Sequence, residues 1–480
     1  MSQAPAAQER FTITHWLIVI VASIGFLFDT YELLMFPVIA RSSLAELLRV
    51  PETDVAVREW TGRLLWMAAL SGGVFGLLGG WLVDRFGRKS VMVGSIMVYS
   101  FSPVLAAFST QLWMFVLFRC TTFVGVCVEF VAAVTWLSEL FPDKRKRELV
   151  LGWTLAVSSL GGIFVTEMYN FIGDHRMSLP AFPIAEGFDA HATWRYALLT
   201  GLIPGLMIAV LLPFVPESNV WRERKQAGTL RRPSFFALFS PDMVRVTLVT
   251  ATLSACAYAA AFGALQLTPS QIATGLPGYV QQQKELGQKI AKAKPGSEEH
   301  KQLLEERKLL AKERVGTTQR WQELGGLLGR IVLAILLVLV ASRRTLLRLF
   351  QVPGLIVISL TYFYFFPKLP EYFMIIYFFA GLFTIAQFSY FGEYLPKAFP
   401  IHLRGTGGAF ATNVGGRMVG TMAAPLVTEF IAPLLAGGSS NAVTAKHVAM
   451  GAGIVGTAVF VIGLALSFIL PEPQEEPAKG

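Results

Sequence analysis

Twelve apolar runs dominate this chain, most of them close to the roughly 20 apolar residues that cross a lipid bilayer. They fall at about 12–40, 61–82, 91–108, 111–137, 149–171 and 194–215, then at about 244–267, 324–341, 351–366, 371–394, 406–433 and 447–470. In hydrocarbon every backbone polar group must be satisfied within the segment, so runs of this length read as helices. Of the 480 residues, 54% are hydrophobic and only 15% charged, whereas a soluble domain carries about a quarter charged residues. The expectation is an integral membrane protein with little soluble mass.

The net charge of +9 points to orientation rather than to nucleic acid, because the cations gather in short loops. Loops 84–89, 143–148, 222–232 and 343–348 are rich in Lys and Arg, and they alternate with poorer loops at 41–59 and 172–193. The positive-inside bias then places both termini in the cytoplasm of a multi-pass inner-membrane protein. Arg10 precedes a long apolar stretch with no cleavage site, so the first span is expected to stay as an anchor. Cys120, Cys127 and Cys256 all lie inside apolar runs, which suits neither disulfides nor a metal site.

Residues 72–90 carry the most specific pattern. Gly72, Gly76 and Gly80 recur at four-residue spacing and leave one helix face nearly bare, so a second helix can approach closely. The helix then runs into Asp84-Arg85-Phe86-Gly87-Arg88-Lys89 before the next apolar run. This stretch resembles the loop between the second and third helices of the major facilitator superfamily. The resemblance implies that Asp84 caps a neighbouring helix and that Arg85, Arg88 and Lys89, with Gly87 at the turn, latch the cytoplasmic face across two halves.

Ionisable residues inside the spans are the candidate functional groups. Asp29 and Glu32 share one face of the first span. Buried carboxylates are costly and usually face a cavity or a partner; the alternative is that the two sit wetted at the helix end. Arg119 opens the fourth span and Glu129 follows ten residues later. A buried Arg needs an anion, and a carboxylate held between a guanidinium and the cost of burial can load and release a proton as water access changes. The alternative is a static ion pair. Arg417 and Asn413 lie mid-way along the eleventh span. Arg417 is suited to a substrate carboxylate, or else to an intramembrane latch with an acid of the first half. Tyr31, Tyr258 and Gln387 complete the expected substrate site.

The resemblance widens from these residues. Arg119…Gly125…Glu129 has the spacing seen in proton symporters for organic acids, and Asp29-x-x-Glu32 looks like the first-helix acid pair of sialate, lactate and aromatic-acid symporters. It implies proton coupling by Asp29, Glu32, Arg119 and Glu129. Glu139…Lys146 resembles a second family loop, with a counterpart in which Lys397 stands at the Glu position and Arg404 at the Arg position. Pro216-Glu217 is echoed by Pro471-Glu472, and Ser342-Arg343-Arg344 keeps the cations of the opening motif without its Asp and Gly. These pairs are the trace of two related halves.

The expected fold is all-α, with two pseudo-symmetric six-helix bundles at 1–218 and 244–480 around a central cavity. A basic amphipathic linker at 219–243 would lie on anionic lipid. Residues 270–318 read as an extracytoplasmic helical hairpin, split by Pro295-Gly296-Ser297 and carrying apolar stripes Leu286, Ile290, Ala293 and Leu303, Leu310. That hairpin is either a tolerated insertion or a surface for a protein partner. The expected function is proton-coupled symport of a small organic anion; the alternatives are a porter for sugars or other neutral metabolites, or a non-transporting receptor or scaffold. No Ser-His-Asp grouping, phosphate-binding glycine loop or metal cluster appears, so neither an enzyme nor a cofactor or metal is expected.

Overall fold

A computed structural model describes residues 12–141, 144–211, 216–217, 222–223, 226, 235–400 and 403–472. Among these, eleven helical segments are long and apolar enough to cross a membrane. The first four spans are Ile13–Leu48, Val55–Gly79, Arg88–Ala107 and Leu112–Leu137. The fifth is Leu149–Ser178, and the seventh to twelfth are Val244–Gly275, Glu298–Leu339, Arg343–Lys368, Pro370–Leu395, Thr406–Leu435 and Ala445–Ser467. The sixth is broken at Thr200 and Gly201 into Thr193–Leu199 and Leu202–Leu211, and residues 212–215 at its end lie outside the described residues. The fold is all-helical, a multi-pass membrane protein.

Local chemistry sets the helix starts. The side chains of Asp54, Ser297 and Ser342 accept from the N–H groups of Ala56, His300 and Thr345, three standard N-caps. Between spans two and three the chain turns at Gly87 with φ 97°. A side chain there would be strained, and the turn lets helix three begin at Arg88 directly after helix two ends at Phe86.

Glycines decide which helices touch. A Cβ on Gly72 would lie 2.8 Å from the Phe123 carbonyl of the fourth span, and one on Gly76 would lie 2.8 Å from Asn413 of the eleventh. The stripe therefore serves two neighbours, one in each half, rather than the single helix expected from its spacing. Gly415, Gly416 and Gly420 seat the eleventh span on the seventh, against Ala251, Tyr258 and Ala255.

Two boundaries differ from the sequence expectation. Residues 270–275 belong to the seventh span, with Ser270 and Gln271 buried, so the hairpin begins later, at Pro277. Its second helix does not stop before the membrane: Glu298–Leu339 is one helix of 42 residues. No proline or cap interrupts it, and the Val315-Gly316-Thr317-Thr318 stretch that joins the polar and apolar parts is held helical by packing, with Val315, Gly316 and Thr318 buried. The hairpin's apolar stripes do meet, with Leu286 and Ala293 buried and Ile290, Leu303 and Leu310 partly so. Most of the 219–243 linker lies outside the described residues.

A Cβ on Gly325 would lie 1.9 Å from the Phe378 carbonyl, whereas one on Gly287, in the hairpin, meets nothing within 4 Å. Gly325→Ala is expected to destabilise the protein by about 1–3 kcal/mol through overpacking, and Gly287→Ala to leave it unchanged or slightly stabilised. Thermal unfolding in detergent compares the two.

Candidate functional site

A central cavity of about 120 Å³ lies between the halves, and its lining includes Asp29, Tyr258, Gln322, Glu323, Arg330 and Arg417. By the usual measure for buried water this holds several molecules. Asp29 comes from the first span, and Arg417 and Arg330 of the second half act on it electrostatically. Its Oδ1 is buried without a hydrogen-bond partner. The Tyr258 ring stands edge-on to Phe388 at 4.8 Å, so the wall beside Asp29 and Arg417 is aromatic.

Arg417 is 4% exposed. One guanidinium nitrogen donates to Asn413 Oδ1 at 2.7 Å, the cation sits 5.6 Å from the centre of the Phe130 ring, and Nε has no partner. Asn413 and Arg417 belong to a ten-residue π-helix, Phe410–Val419. The wider winding is rare and recurs at functional positions in helices.

The other predicted groups are placed differently. Glu32 is fully buried and faces Arg119 at 4.0 Å, and Arg119 also donates to the Glu32 carbonyl at 3.2 Å. Phe36 and Phe123 flank that guanidinium, each at 5.6 Å. Asp29 and Glu32 therefore divide: one faces the cavity and the other meets Arg119. Glu129 is fully buried against Gly25, with neither carboxylate oxygen hydrogen-bonded. The charges acting on it are Asp29 and Arg417, not Arg119. Tyr31 bonds Thr200 of the sixth span, Gln387 accepts from Gln351 at 2.9 Å, and Asn413 holds Arg417. None of these three lines the cavity.

Sequence reasoning missed Gln322 and Glu323. Glu323 fell one residue before the apolar run set at 324–341, so it read as outside the membrane. The signal available was the absence of any proline between Glu298 and Leu339, which leaves nothing to stop the helix before the membrane.

At the end of the bundle that carries the termini, each half has its own clasp. Arg88 bonds Glu139 at 2.9 Å and the Val83 carbonyl at 3.2 Å, and Glu217 accepts from the N–H groups of Arg88 and Lys89, both at 3.1 Å. In the second half Arg343 pairs with Glu393 at 3.3 Å, and Glu472 accepts from the N–H groups of Arg343 and Arg344, both at 3.0 Å. Each Glu is an anion at a helix N-terminus. The Arg88–Glu139 pair is formed within its own half. The acid matching Glu139 is Glu393, and Lys397 pairs with it. Arg85, Lys89 and Lys146 have partners of their own. The side chains of Asp84 and Arg404 lie outside the described residues.

At the opposite end, contacts cross between the halves. Arg63 makes a two-pronged pair with Glu429 at 2.9 and 3.0 Å, Lys312 meets Asp174 at 2.8 Å, and Arg320 meets Glu167 at 2.6 Å.

Comparison with known proteins fits this geometry. The profile of the Major Facilitator Superfamily matches residues 16–291. The sialic acid transporter of Escherichia coli is 22% identical over 276 residues, 56% of this chain and 58% of that protein. The cis,cis-muconate transport protein of Acinetobacter baylyi is 26% identical over 408 residues, 84% of this chain and 83% of that one. A crystal structure of a D-xylose-proton symporter superposes with a TM-score of 0.63 at 17% identity, covering 96% of this chain and 99% of the other. A partially occluded, inward-open xylose transporter from Escherichia coli gives 0.64 at 16% identity, covering 97% and 100%. These relatives and neighbours are transporters, not enzymes.

Glu472 lies beyond the twelfth span. Burial pushes its carboxyl up, but the Ser342 hydroxyl and the N–H groups of Arg344 and Arg343 outweigh that and hold it below the ordinary 4.5. A carboxyl held low in the folded state adds stability above its unfolded value and loses it as pH falls through the folded one. Glu472→Gln is expected to lower the melting temperature at neutral pH, with the gap to wild type closing as pH drops below that ordinary value.

Proposed function

Since the chain belongs to the Major Facilitator Superfamily, we propose that it is a secondary active transporter that carries a small organic anion together with a proton across the inner membrane. The observation that carries this reading is the shared cavity: Asp29 of one half and Arg417 of the other line the same space, and both keep buried polar atoms without partners. Those atoms are costly in a dry interior and favour a ligand that supplies the missing bonds. A guanidinium suits a carboxylate, which it grips with two parallel N–H bonds. The two carboxylate transporters named above support the anion. Proton coupling is assigned to Asp29, Glu32 and Glu129, with Arg119 neutralising Glu32.

Tyr258 shapes the aromatic wall. Tyr31, Gln387 and Asn413 act from one layer behind, holding Thr200, Gln351 and Arg417. Rocking of the two bundles about the cavity exposes it to each side in turn. The cross-half pairs at the end away from the termini close one side, and the clasps at Arg88 and Arg343 open or lock the other, with Asp84, Arg85, Gly87, Lys89, Lys146 and Arg404 in the same cytoplasmic gate. The D-xylose symporter likeness rests on fold alone, and a sugar or other neutral substrate remains the second reading.

Uptake into proteoliposomes under an inward proton gradient tests the proposal, with cis,cis-muconate, 4-hydroxybenzoate, sialic acid and D-xylose as probes. Accumulation of a carboxylate probe, abolished by a protonophore, is expected; uptake of D-xylose alone overturns the anion assignment. Arg417→Lys keeps the charge but loses the fork, and carboxylate transport should fall about 10- to 100-fold, the worth of one charged hydrogen bond.

A further inference from the structure

The cavity contains a carboxyl that the coupling scheme above does not use. Glu323, on the eighth span, is 2% exposed and lines the cavity on the wall supplied by the second half. Two amides of its own helix fix it: Gln319 donates at 3.0 Å and Gln322 at 2.8 Å, both to Oε1. Oε2 receives neither bond. It lies against the fifth span at Gly162, where an added Cβ would come within 2.4 Å of it. Its carboxyl therefore sits at the seam between the halves, where rocking changes its surroundings.

The charges midway along the spans do not balance without a proton. Among the described residues, the mid-span acids are Asp29, Glu32, Glu129 and Glu323, all buried. The mid-span cations are Arg119, Arg417 and Arg330, the last lining the cavity. Four carboxyls face three guanidinium groups. A net buried charge is expensive in a low-dielectric interior, so the empty cavity is neutral with one carboxyl protonated. An arriving monocarboxylate restores the imbalance and is matched by one further proton. Of the four acids, only Asp29 and Glu323 open onto the cavity, one from each half.

We propose that Glu323 is a proton-exchanging carboxyl of the transport cycle, contributed by the second half as Asp29 is by the first. The proposal rests on the symport reading above. In the step, the O–H bond at Oε2 breaks, the proton passes to water entering the cavity, and the carboxylate left behind is held by the two amides and compensated by Arg330. The groups that face Glu323 are consistent with this. On its own helix they are Gln319, Gln322 and Arg330. On the fifth span Glu167 is already taken by Arg320, and on the tenth Tyr377 reaches Gln322 rather than Glu323. Across the cavity stand Asp29, Tyr258 and Arg417.

The test uses full-length wild type, Glu323→Gln and Glu323→Asp. Infrared difference spectra between mildly alkaline and mildly acidic pH read protonated carboxyls directly and need no substrate. Glu323→Gln should delete one titrating carbonyl band, and Glu323→Asp should shift it, so the result does not depend on the Gln variant folding. In proteoliposomes, with whichever of cis,cis-muconate, 4-hydroxybenzoate and sialic acid the wild type accumulates, the ratio of gradient-driven accumulation to counterflow should fall about tenfold in Glu323→Gln and recover in Glu323→Asp. Unaltered bands, or an unchanged ratio, overturn the proposal. Wild-type protein that accumulates none of the carboxylate probes, sialic acid included, overturns the anion-symport reading instead, and the infrared spectra still decide whether Glu323 exchanges a proton.

Discussion

A charge placed in hydrocarbon has to be neutralised where it stands, and the centre of this molecule is arranged around that requirement. Glu32 and Arg119 meet it with each other, between two phenyl rings. Asp29, Glu129 and Arg417 meet it only in part, across the gap between the halves. Both sets keep buried polar atoms without hydrogen-bond partners, but only Asp29 and Arg417 present theirs at the cavity wall. Access to the cavity, rather than residue type, therefore distinguishes these groups, since all five are ionisable and deeply buried.

Close approach by small residues makes that arrangement reachable. Gly76 lets the second span rest on Asn413, which in turn orients Arg417. Gly25 leaves room for Glu129, and Gly162 for Glu323. In lipid, helix association depends on packing rather than on expulsion of water, so the glycines that let helices approach also position their charges, Gly76 and Gly162 between the halves and Gly25 within the first.

Most of the architecture was legible in the chain, because span length and loop charge follow directly from the thickness and polarity of a bilayer. Gly87 and Arg417 could be singled out because a left-handed turn and a mid-span cation leave little else to explain them. The clasp in the second half was harder. Pro471-Glu472 was seen to echo Pro216-Glu217, yet the acid that answers Arg343 lies four residues before the aligned Lys397, a displacement of one helical turn that alignment by position does not register. Tyr31 and Gln387 were assigned to the cavity from their spans alone, but sequence does not give a helix's rotation about its axis when its faces are all apolar. Glu323 is hidden from a hydropathy reading because the edge of an apolar run is not the edge of the membrane: a buried polar turn extends the eighth span past it.

The eighth helix runs from the tip of the hairpin to the terminal end of the bundle without a joint. At about 1.5 Å per residue, its 42 residues form a rod of about 63 Å, with Glu298 at one extremity and Glu323 and Arg330 part-way along. A stiff rod cannot tilt at one end alone. One continuous helix joins the hairpin to the wall of the chamber, so the appendage and the interior share a single structural element.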